Sequence, residues 1–536
     1  MRLYQQFRAS IARSTVVGAG VLLFASGMSV SAFGQTQQVS TALPTALPAR
    51  QEPAVPAGTP VSIEEAVRMA LENNLGIQIE KLNPQIQVLG VSRARSVYTP
   101  AFVSGLLRRS TTSPPIDFNT SAADQSISTN ASLSGNGGLQ QLLKWGGGNY
   151  SLVFDGSRAT TNDINPRFNP QLGSNLNAVI NQPLMRNFKI DANRQQLMLS
   201  KNQLEAADLQ LQQRLTQTGR NVRAAYYALV GALAGLEVAQ ESLNLARTSL
   251  KNNQTRVEVG TMAPIDIVTA EAEVASNEEN VIIQQGRIES AQDQLRTLIM
   301  NPAQPDFWTA RFSPSEQPVL TARPIDVDTA IKNALANRTD VLAFKKQMES
   351  TAINLKYAAN QKLPAIDLNA RYGLAGVAGT ALSQATGIPT GIRSFGDALR
   401  DVFGNEFKTW SVSVNVSYPI GTSPAEAGYA QAKLQQQQER TALTNFEMQV
   451  TTAVREAGRQ VNTNLKRVEA TRRARDLAQQ RLDAENKRFT VGLSSTFELL
   501  QAQRDLSRAK QAELNATLEY NLSLVDFEAV QIAPIR

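Results

Sequence analysis

Two stretches of the chain interleave apolar and polar residues over a long distance without a proline, and this pattern predicts two long α-helices. They cover residues 192–259 and 425–491, so each is about 67 residues long and spans about 100 Å. Helices of this length are typical of coiled coils rather than of compact domains. Each run ends at a glycine, Gly260 or Gly492, and about 35 further residues with a helical pattern predict a helix that runs back along it.

A shorter helix of about 35 residues is predicted at the start of each half of the chain. Ser62 and Asp326 are N-cap candidates for these helices, with Glu65 and Thr329 three residues later. A proline ends each of them. The short helix and the returning helix together match the long helix in length, so we expect them to pack end to end beside it.

Alternation of apolar and polar residues predicts β-strands between the helices. Residues 365–372 alternate after Pro364, and residues 410–420 alternate more regularly. The apolar positions of the second strand are Trp410, Val412, Val414, Val416 and Tyr418. Alternation with aromatic residues near both ends is expected when one face meets lipid and the other a polar lumen. A half-buried sheet of a soluble protein would also alternate, but the aromatic ends and the leader described below favour a membrane.

The chain repeats one module in the same order. The segment SIEEAVRMALENN at 62–74 matches DVDTAIKNALANR at 326–338, and RVEVGTMAPIDIVTAEAEV at 256–274 matches RFTVGLSSTFELLQAQRDL at 488–506. The first copy has about 28 extra residues between Pro100 and Pro183, including KWGGGNYSLVFDGSRAT. These residues would add a hairpin to a barrel or form an external loop.

The N-terminus is predicted to be an export signal. Three arginines precede an apolar run that ends in the small residues Ala32 and Gly34, so residues 1–34 would be removed. Residues 35–60, rich in proline and alanine, predict an extended, mobile linker. No later stretch is judged apolar enough to cross a bilayer as a helix, so a crossing would require strands. Open strand edges leave backbone groups unpaired in lipid, and several copies would therefore close a shared barrel.

Composition excludes several classes of protein. The 536 residues include no Cys and no His, which removes thiol nucleophiles, disulfides, Cys/His zinc sites and the commonest general base. No GxxxxGK[ST] loop occurs, and we predict neither enzymatic activity nor a cofactor. The leader holds three of the positive charges in the formal net charge of +7, and the remaining charge of about +4 is too thinly spread to indicate nucleic acid as a partner.

The paired modules, the proline-marked strands and the stretch RFTVGLSSTFELLQAQ with its partner RVEVGTMAPIDIVTAEA together resemble the TolC-like outer membrane efflux protein family. The resemblance implies a mixed fold of all-α coiled coil and β-barrel, formed as a homotrimer. A periplasmic helical tunnel would continue into a transmembrane barrel with four strands from each chain. The two structural repeats would be 61–323 and 324–536, with 301–323 contributing to a belt around the tunnel. The location would be the outer membrane, extending into the periplasm.

The same resemblance implies a periplasmic gate at the repeated tips. Acidic residues of the family's entrance match Asp266 in the first copy and Glu498 in the second, and another acidic position falls on Gln501. The family's gate tyrosine falls on Phe489 and its gate arginine on Ser494. We therefore expect packing and carboxylates, rather than a Tyr/Arg network, to hold this entrance.

The carboxylates also have a purely structural interpretation. Ser495 and Glu498 fit a capping box, and Asp266 lies three residues after Ala263 in the matching position. Negative charge in the first turn of a helix is favourable whatever the function of the tip.

The tips themselves are predicted to dock a periplasmic adaptor. The segments concerned are Val259, Gly260, Thr261, Val491, Gly492 and Leu493. A glycine permits a positive φ and a close backbone approach, although a glycine that simply ends a helix would look the same.

These features predict the outer membrane channel of a tripartite efflux or type I secretion system. It would be a passive exit duct fed by an inner-membrane pump of RND or ABC type through a periplasmic adaptor (membrane fusion) protein. Its partners would be two further copies of the chain, the adaptor, the pump and outer membrane lipid. The alternative is an envelope-spanning coiled coil without a pore. The sequence leaves the cargo open.

Overall fold

The structure, a computed structural model, describes residues 58–114, 127–163, 166–317 and 323–531. These residues belong to one unit of the chain, Pro56–Arg536. The predicted leader and residues 35–57 of the predicted linker lie outside the described residues, as do 318–322 of the predicted belt.

The described residues of the first half of the chain form four helices: α1 (Ile63–Asn73), α2 (Leu75–Ser96), α3 (Ala192–Glu258) and α4 (Ile265–Ile299). The long helix α3, with 67 residues, and the returning helix α4, with 35, confirm the periodicity. The single helix predicted before the strands is wrong, because the chain breaks at Asn74, which adopts an extended conformation. The Asn74 side chain then caps α2 by accepting from the Ile77 N–H at 3.3 Å. The predicted cap of α1 is present, since Ser62 Oγ accepts from the Glu65 N–H.

The second half repeats this order with α5 (Val327–Asn337), α6 (Thr339–Gln361), α8 (Pro424–Thr490) and α9 (Thr496–Gln531). Here too the first predicted helix is broken, at Arg338, the position that matches Asn74. Asp326 caps α5 as predicted and accepts from the N–H groups of Asp328 and Thr329 at 3.1 Å. The α8 helix has 67 residues, the same length as α3.

The short and returning helices pack end to end along the long helix, as predicted. The side-chain amides of Asn73 and Asn74 donate to the Ile299 and Leu298 carbonyls at 3.1 Å, which joins the end of α1 to the end of α4. Along α3 a buried apolar residue recurs every seven positions, at Val222, Leu229, Leu236 and Leu243. The same spacing occurs in α8 at Val454, Val461 and Val468. This heptad pattern is the packing repeat of a coiled coil.

The helix α3 is more apolar than we predicted from the sequence. Among the described residues, α3 contains a window long and apolar enough by length and composition to cross a membrane, although 44% of that window is buried within the chain. The core helix of a folded protein meets the same criterion. The expectation that no later stretch would be apolar enough is therefore wrong for α3.

A small sheet joins the end of the predicted linker to the predicted belt. The strand β1 (Thr59–Val61) pairs in parallel with β6 (Phe312–Pro314). The Val61 and Phe312 side chains are buried in the same core as α3 and α4. The linker prediction therefore fails at its last residues, because burial of Val61 fixes the backbone that precedes it.

The large sheet contains β2 (Ala101–Ser113), β3 (Ser128–Leu142), β4 (Asn149–Thr161), β5 (Phe168–Pro183), β7 (Ala365–Leu382), β8 (Pro389–Arg393) and β9 (Phe407–Ser417). Its order is β2-β3-β4-β5-β7-β9, antiparallel throughout, with β8 on the far end of β7. This sheet contains more long strands than the four per chain that the resemblance implies for a barrel. The extra residues of the first copy form the β3–β4 hairpin, so six long strands are present among the described residues.

A short helix, α7 (Phe395–Phe403), lies between β8 and β9 and packs on β5 and β7. Ser174 Oγ donates to the Ala398 carbonyl at 2.9 Å. A Cβ at Gly376 would lie only 1.9 Å from the same oxygen, so glycine is what permits this close approach of helix and strand.

The pairing of β7 with β9 confirms the predicted alternation. Ile366 lies opposite Val416, Leu368 opposite Val414, Ala370 opposite Val412 and Tyr372 opposite Trp410. Asp367 and Asn369 lie opposite Asn415 and Ser413 on the other face. The four apolar β9 residues and Tyr418, which follows the strand, are all more than half exposed in the single chain.

Candidate functional site

Both long helices end in the same backbone geometry, far from the sheet along the chain. Gly260 and Gly492 have φ values of +74° and +77°. The Thr261 N–H donates to the Arg256 carbonyl, and the Gly260 N–H donates to the Val257 carbonyl, at 2.8 and 3.0 Å. The matching bonds recur around Gly492. This is a Schellman motif, in which the left-handed residue satisfies the last carbonyls of the helix. No neighbouring atom lies within 4 Å of a Cβ built at either glycine, so the positive φ alone explains the choice of residue.

The two tips expose large apolar side chains. Val259, Val491 and Leu493, all predicted to dock an adaptor, are 67%, 68% and 70% exposed. Ile265 and Phe497, which we did not predict as docking residues from the sequence, occupy matching positions in the two tips and are exposed to the same degree. In the sequence, the feature that could have indicated these two residues was a large apolar side chain beside each turn. Apolar side chains this exposed, two or three at each tip, are suited to contact with another protein.

Glu498 is a helix cap, as the structural interpretation predicted. Its carboxylate accepts from the Ser495 N–H at 3.0 Å, while its own N–H donates to Ser495 Oγ at 3.3 Å. The bond from the Ser495 N–H, followed by that from the Ser494 hydroxyl, lowers the pKa of Glu498. Because this pKa is lowered, the Glu498 carboxylate stays ionised and keeps the cap as the pH falls. The cap is lost when the pH passes through the lowered pKa and the carboxylate is protonated.

Ser494 lies between two carboxylates. Its hydroxyl contacts Glu485, which is almost fully buried, and Glu498 at 3.0 Å. A hydroxyl has a single proton, so it donates to one of these carboxylates at a time. Arg488 pairs with Glu485 at 3.3 Å and offsets part of its charge. The Ser494 hydroxyl thus lies between two acidic side chains, at a position where the resemblance predicted an arginine.

Asp266 and Gln501 are placed differently from Glu498. Asp266 is half-buried and, within the described part of the chain, makes no side-chain hydrogen bond and no ion pair; Pro264 occupies the cap position. Gln501 donates to Asp505 at 3.0 Å on its own helix. Among the predicted gate residues, Ser494 therefore contacts Glu498 within one chain, whereas Gln501 and Asp266 do not share that contact.

Phe489 packs between the two hairpins. Its side chain is 6% exposed, in a core with Leu482, Leu499 and Leu506 of its own hairpin. The Arg256 guanidinium, from the first hairpin, lies 4.3 Å from the centroid of the Phe489 ring and donates to the Phe489 carbonyl at 3.2 Å. Arg256 was visible in the sequence only as the first residue of the repeated tip motif, with nothing to indicate its partner.

Four contacts between α9 and the first hairpin continue this junction. We call the set the hairpin seam: Arg256–Phe489, Ser249–Gln503, Glu273–Arg504, Ser242–Ser507 and Glu241–Lys510. The Glu273 side chain is only 10% exposed, and Arg504 donates to it at 2.9 Å. The hydrogen bond with Glu273 raises the pKa of Arg504. The seam fixes the second tip against the first.

Long helical hairpins that end in tips on one side and in a two-faced sheet on the other define the class of outer membrane channels with a helical periplasmic extension. Solved structures of this class share the fold. The outer-membrane channel OprN has a TM-score of 0.63 at 17% identity and covers 88% of this chain and 90% of its own. The Campylobacter jejuni CmeC outer membrane channel has a TM-score of 0.61 at 15% identity and covers 87% and 85%.

The family follows from the sequence. The family model described as Outer membrane efflux protein matches residues 168–300 and 330–530, more than half of the chain, and the chain belongs to this family. Outer membrane protein TolC of Escherichia coli K12 is 22% identical over 314 residues, which are 58% of this chain and 60% of that protein. The match thus spans less than two thirds of that relative. The chain is an outer membrane protein that extends into the periplasm.

Proposed function

We propose that three copies of this chain form a passive efflux channel, which an inner-membrane pump feeds through a periplasmic adaptor. The observation that carries the proposal is the sheet joined directly to the helical hairpins, whose strands β7 and β9 are apolar on one side and polar on the other. Such a sheet suits a barrel wall between lipid and an aqueous lumen. Membership of the outer membrane efflux protein family supports a role in efflux, and the members of this family are channels rather than enzymes.

An exposed apolar stripe on α2 supports assembly from several copies. Leu75, Ile79, Leu82, Ile86 and Leu89 are all at least half exposed in the single chain. Their spacing of four and three residues is that of a coiled-coil interface, and the opposite side of the helix, with Ile77 and Val91, already packs within the chain. Within the part of the chain that the structure describes, the stripe therefore lacks a helix to pack against, and a second copy would provide one.

The Ile86→Glu variant should be monomeric in detergent, while the wild type is trimeric. Burying Ile86 contributes about 1.5–3 kcal/mol at each interface, and a carboxylate there would add a desolvation cost. Size-exclusion chromatography with light scattering measures the mass. Lys81→Glu is the matched control, since Lys81 is exposed on α2 away from the stripe, and it should remain trimeric. A trimeric Ile86→Glu protein would show that α2 does not form the interface.

The tips would form the entrance, with Asp266, Phe489, Ser494, Glu498 and Gln501 around its mouth. The exposed Val259, Gly260, Thr261, Val491, Gly492 and Leu493 would receive the adaptor. In this proposal the entrance is closed at rest and dilates when the adaptor docks. The seam between the hairpins would hold the closed state in place of a Tyr/Arg latch.

Conductance in planar bilayers tests the channel directly. We expect the wild-type trimer to conduct ions and to prefer cations, because three copies would bring the Asp266 and Glu498 carboxylates together. Asp266→Asn combined with Glu498→Gln should lower cation selectivity and weaken block by trivalent cations added from the periplasmic side. Glutamine still provides the capping oxygen at position 498, so the double variant removes charge without removing the cap.

The control for this experiment is Glu456→Gln, an exposed carboxylate on α8 that lies away from the tip in sequence. It should leave selectivity and block unchanged. If the double variant behaves like this control, the two carboxylates serve the helix termini alone. If a correctly assembled wild-type trimer conducts nothing, the protein is an envelope-spanning coiled coil without a pore.

A further inference from the structure

We infer that the β3–β4 hairpin is built into the barrel wall, so that three copies close an eighteen-stranded barrel in which β9 of one copy pairs with β2 of the next. The inference rests on the proposed trimeric channel. It concerns the width of the exit and the surface by which the copies join.

The hairpin is inserted between strands that would otherwise be neighbours. The whole of β2, Ala101–Ser113, pairs with residues 128–140 of β3, and β4 pairs with β5 over residues 149–159. No pairing joins β2 to β5 in the described residues. An external loop would leave β2 and β5 adjacent, so the hairpin is part of the sheet itself.

Both faces of the sheet continue across the hairpin. Leu139 of β3 lies opposite Phe102 of β2 and Leu152 of β4, in the row that ends at Tyr372 and Trp410. On the other face, Asp155 of β4 accepts from the Asn175 and Asn177 amides of β5 at 2.9 and 3.3 Å. One apolar row, which includes Ala178 of β5, thus crosses all six long strands on one face, and the contacts of Asp155 extend the polar face into the hairpin.

The turn of the hairpin is fixed to the helical part of the chain. Gln141 donates to the Tyr98 carbonyl just beyond α2, and Tyr150 donates to Gln141, both at 2.8 Å. Gln182, at the end of β5, donates to the Gly146 carbonyl in the turn at 2.9 Å. These bonds hold β3 and β4 at the level of their neighbours, which is the placement that a wall strand needs.

The two edges of the sheet are suited to each other. The β2 and β9 strands are exposed along most of their length, and within the described residues each pairs with a neighbour on one side only. The β2 strand leaves the helices and β9 returns to them, so β9 and the β2 of another copy would be antiparallel, like every other pair in the sheet. The exposed Phe102 and Leu106 would continue the apolar face of Trp410 and Val412. A second copy of this chain is therefore the occupant we assign to both edges.

Six strands per chain produce a wider exit than four. With strands about 4.8 Å apart and tilted by about 40°, eighteen strands close a backbone barrel about 36 Å across, against about 24 Å for twelve. Barrels of sixteen to eighteen strands leave an aqueous channel. The limiting constriction would then lie at the helical tips and not in the outer membrane.

Spin-label distances in the trimer test the strand number. The chain has no cysteine, so Val412→Cys and Ser413→Cys each introduce one label per copy, on opposite faces of β9. One label points outward and the other inward, so the mean of the inter-copy distances at positions 412 and 413 approximates the distance between the β9 backbones of two copies. This mean should be about 31 Å for eighteen strands and about 21 Å for twelve. The inter-copy distance from a spin label at Gln437→Cys on α8 shows whether the helical part of the trimer is assembled.

The outcomes separate the inference from the proposed channel. A mean at the value for eighteen strands, with a defined distance at position 437, supports the wider barrel. A mean at the value for twelve strands overturns the wider barrel and leaves the channel intact. A defined distance at 437 with no defined distance on β9 shows that the sheets do not close, which also overturns it. The absence of defined distances at all three sites removes the trimer and, with it, both proposals.

Discussion

Val414→Arg should prevent assembly in the outer membrane, whereas Asn415→Arg, one residue along, should be tolerated. Val414 lies opposite Leu368 on the apolar face and is 56% exposed in the single chain. An arginine facing lipid near the bilayer midplane costs about 2–4 kcal/mol, and a trimer would contain three of them. Asn415 lies opposite Asp367 on the polar face, where an added guanidinium gains a carboxylate neighbour.

The amount of trimer in purified outer membranes measures this effect, with Asn415→Arg as the matched control. The same charge is added to the same strand, and only the face differs. Equal loss of trimer in both variants would mean that β9 does not separate lipid from lumen. Equal tolerance would mean that Val414 does not face lipid.

Arg504→Ala should raise the open probability of the channel, and Arg504→Ala combined with Arg256→Ala should raise it further. Loss of Arg504 leaves the buried Glu273 carboxylate without its partner, while loss of Arg256 uncovers the Phe489 ring. Arg504 is about half exposed, so we expect a cost to the closed state of about 1–2 kcal/mol rather than that of a fully buried pair. A change of this size shifts the ratio of closed to open channels by about 5- to 30-fold.

Single-channel recording measures the open probability directly. Arg459→Ala is the control, because Arg459 pairs with Glu456 on the surface of α8 and lies outside the seam. The charge exchange Glu273→Arg with Arg504→Glu should restore the closed state. Unchanged open probability in the double alanine variant would show that the seam does not hold the entrance. Failure of the charge exchange alone would indicate that the geometry of the pair, and not only its charge, is required.

Features that depend on short repeats and local chemistry could be predicted from the order of the amino acids. The proline-free runs fixed α3 and α8, and the glycines at 260 and 492 fixed their ends, because a left-handed residue is needed there. The alternation at 410–417 fixed the two faces of β9. In the candidate site, the capping box of Ser495 and Glu498 was predictable because its partners are three residues apart.

Features that depend on contacts between residues distant along the chain became visible only in the folded protein. The break at Asn74 places that side chain on the Leu298 carbonyl, 224 residues away, and no local pattern shows this. Arg256 contacts Phe489, which is 233 residues away along the chain. This contact, which we propose in place of a Tyr/Arg latch, could therefore not be predicted from the tip motif alone. The strand β3 is rich in glycine, serine and asparagine and alternates too weakly to be recognised. It is a strand because β2 and β4 satisfy its backbone on both sides, and backbone pairing does not depend on the side chains that a sequence displays.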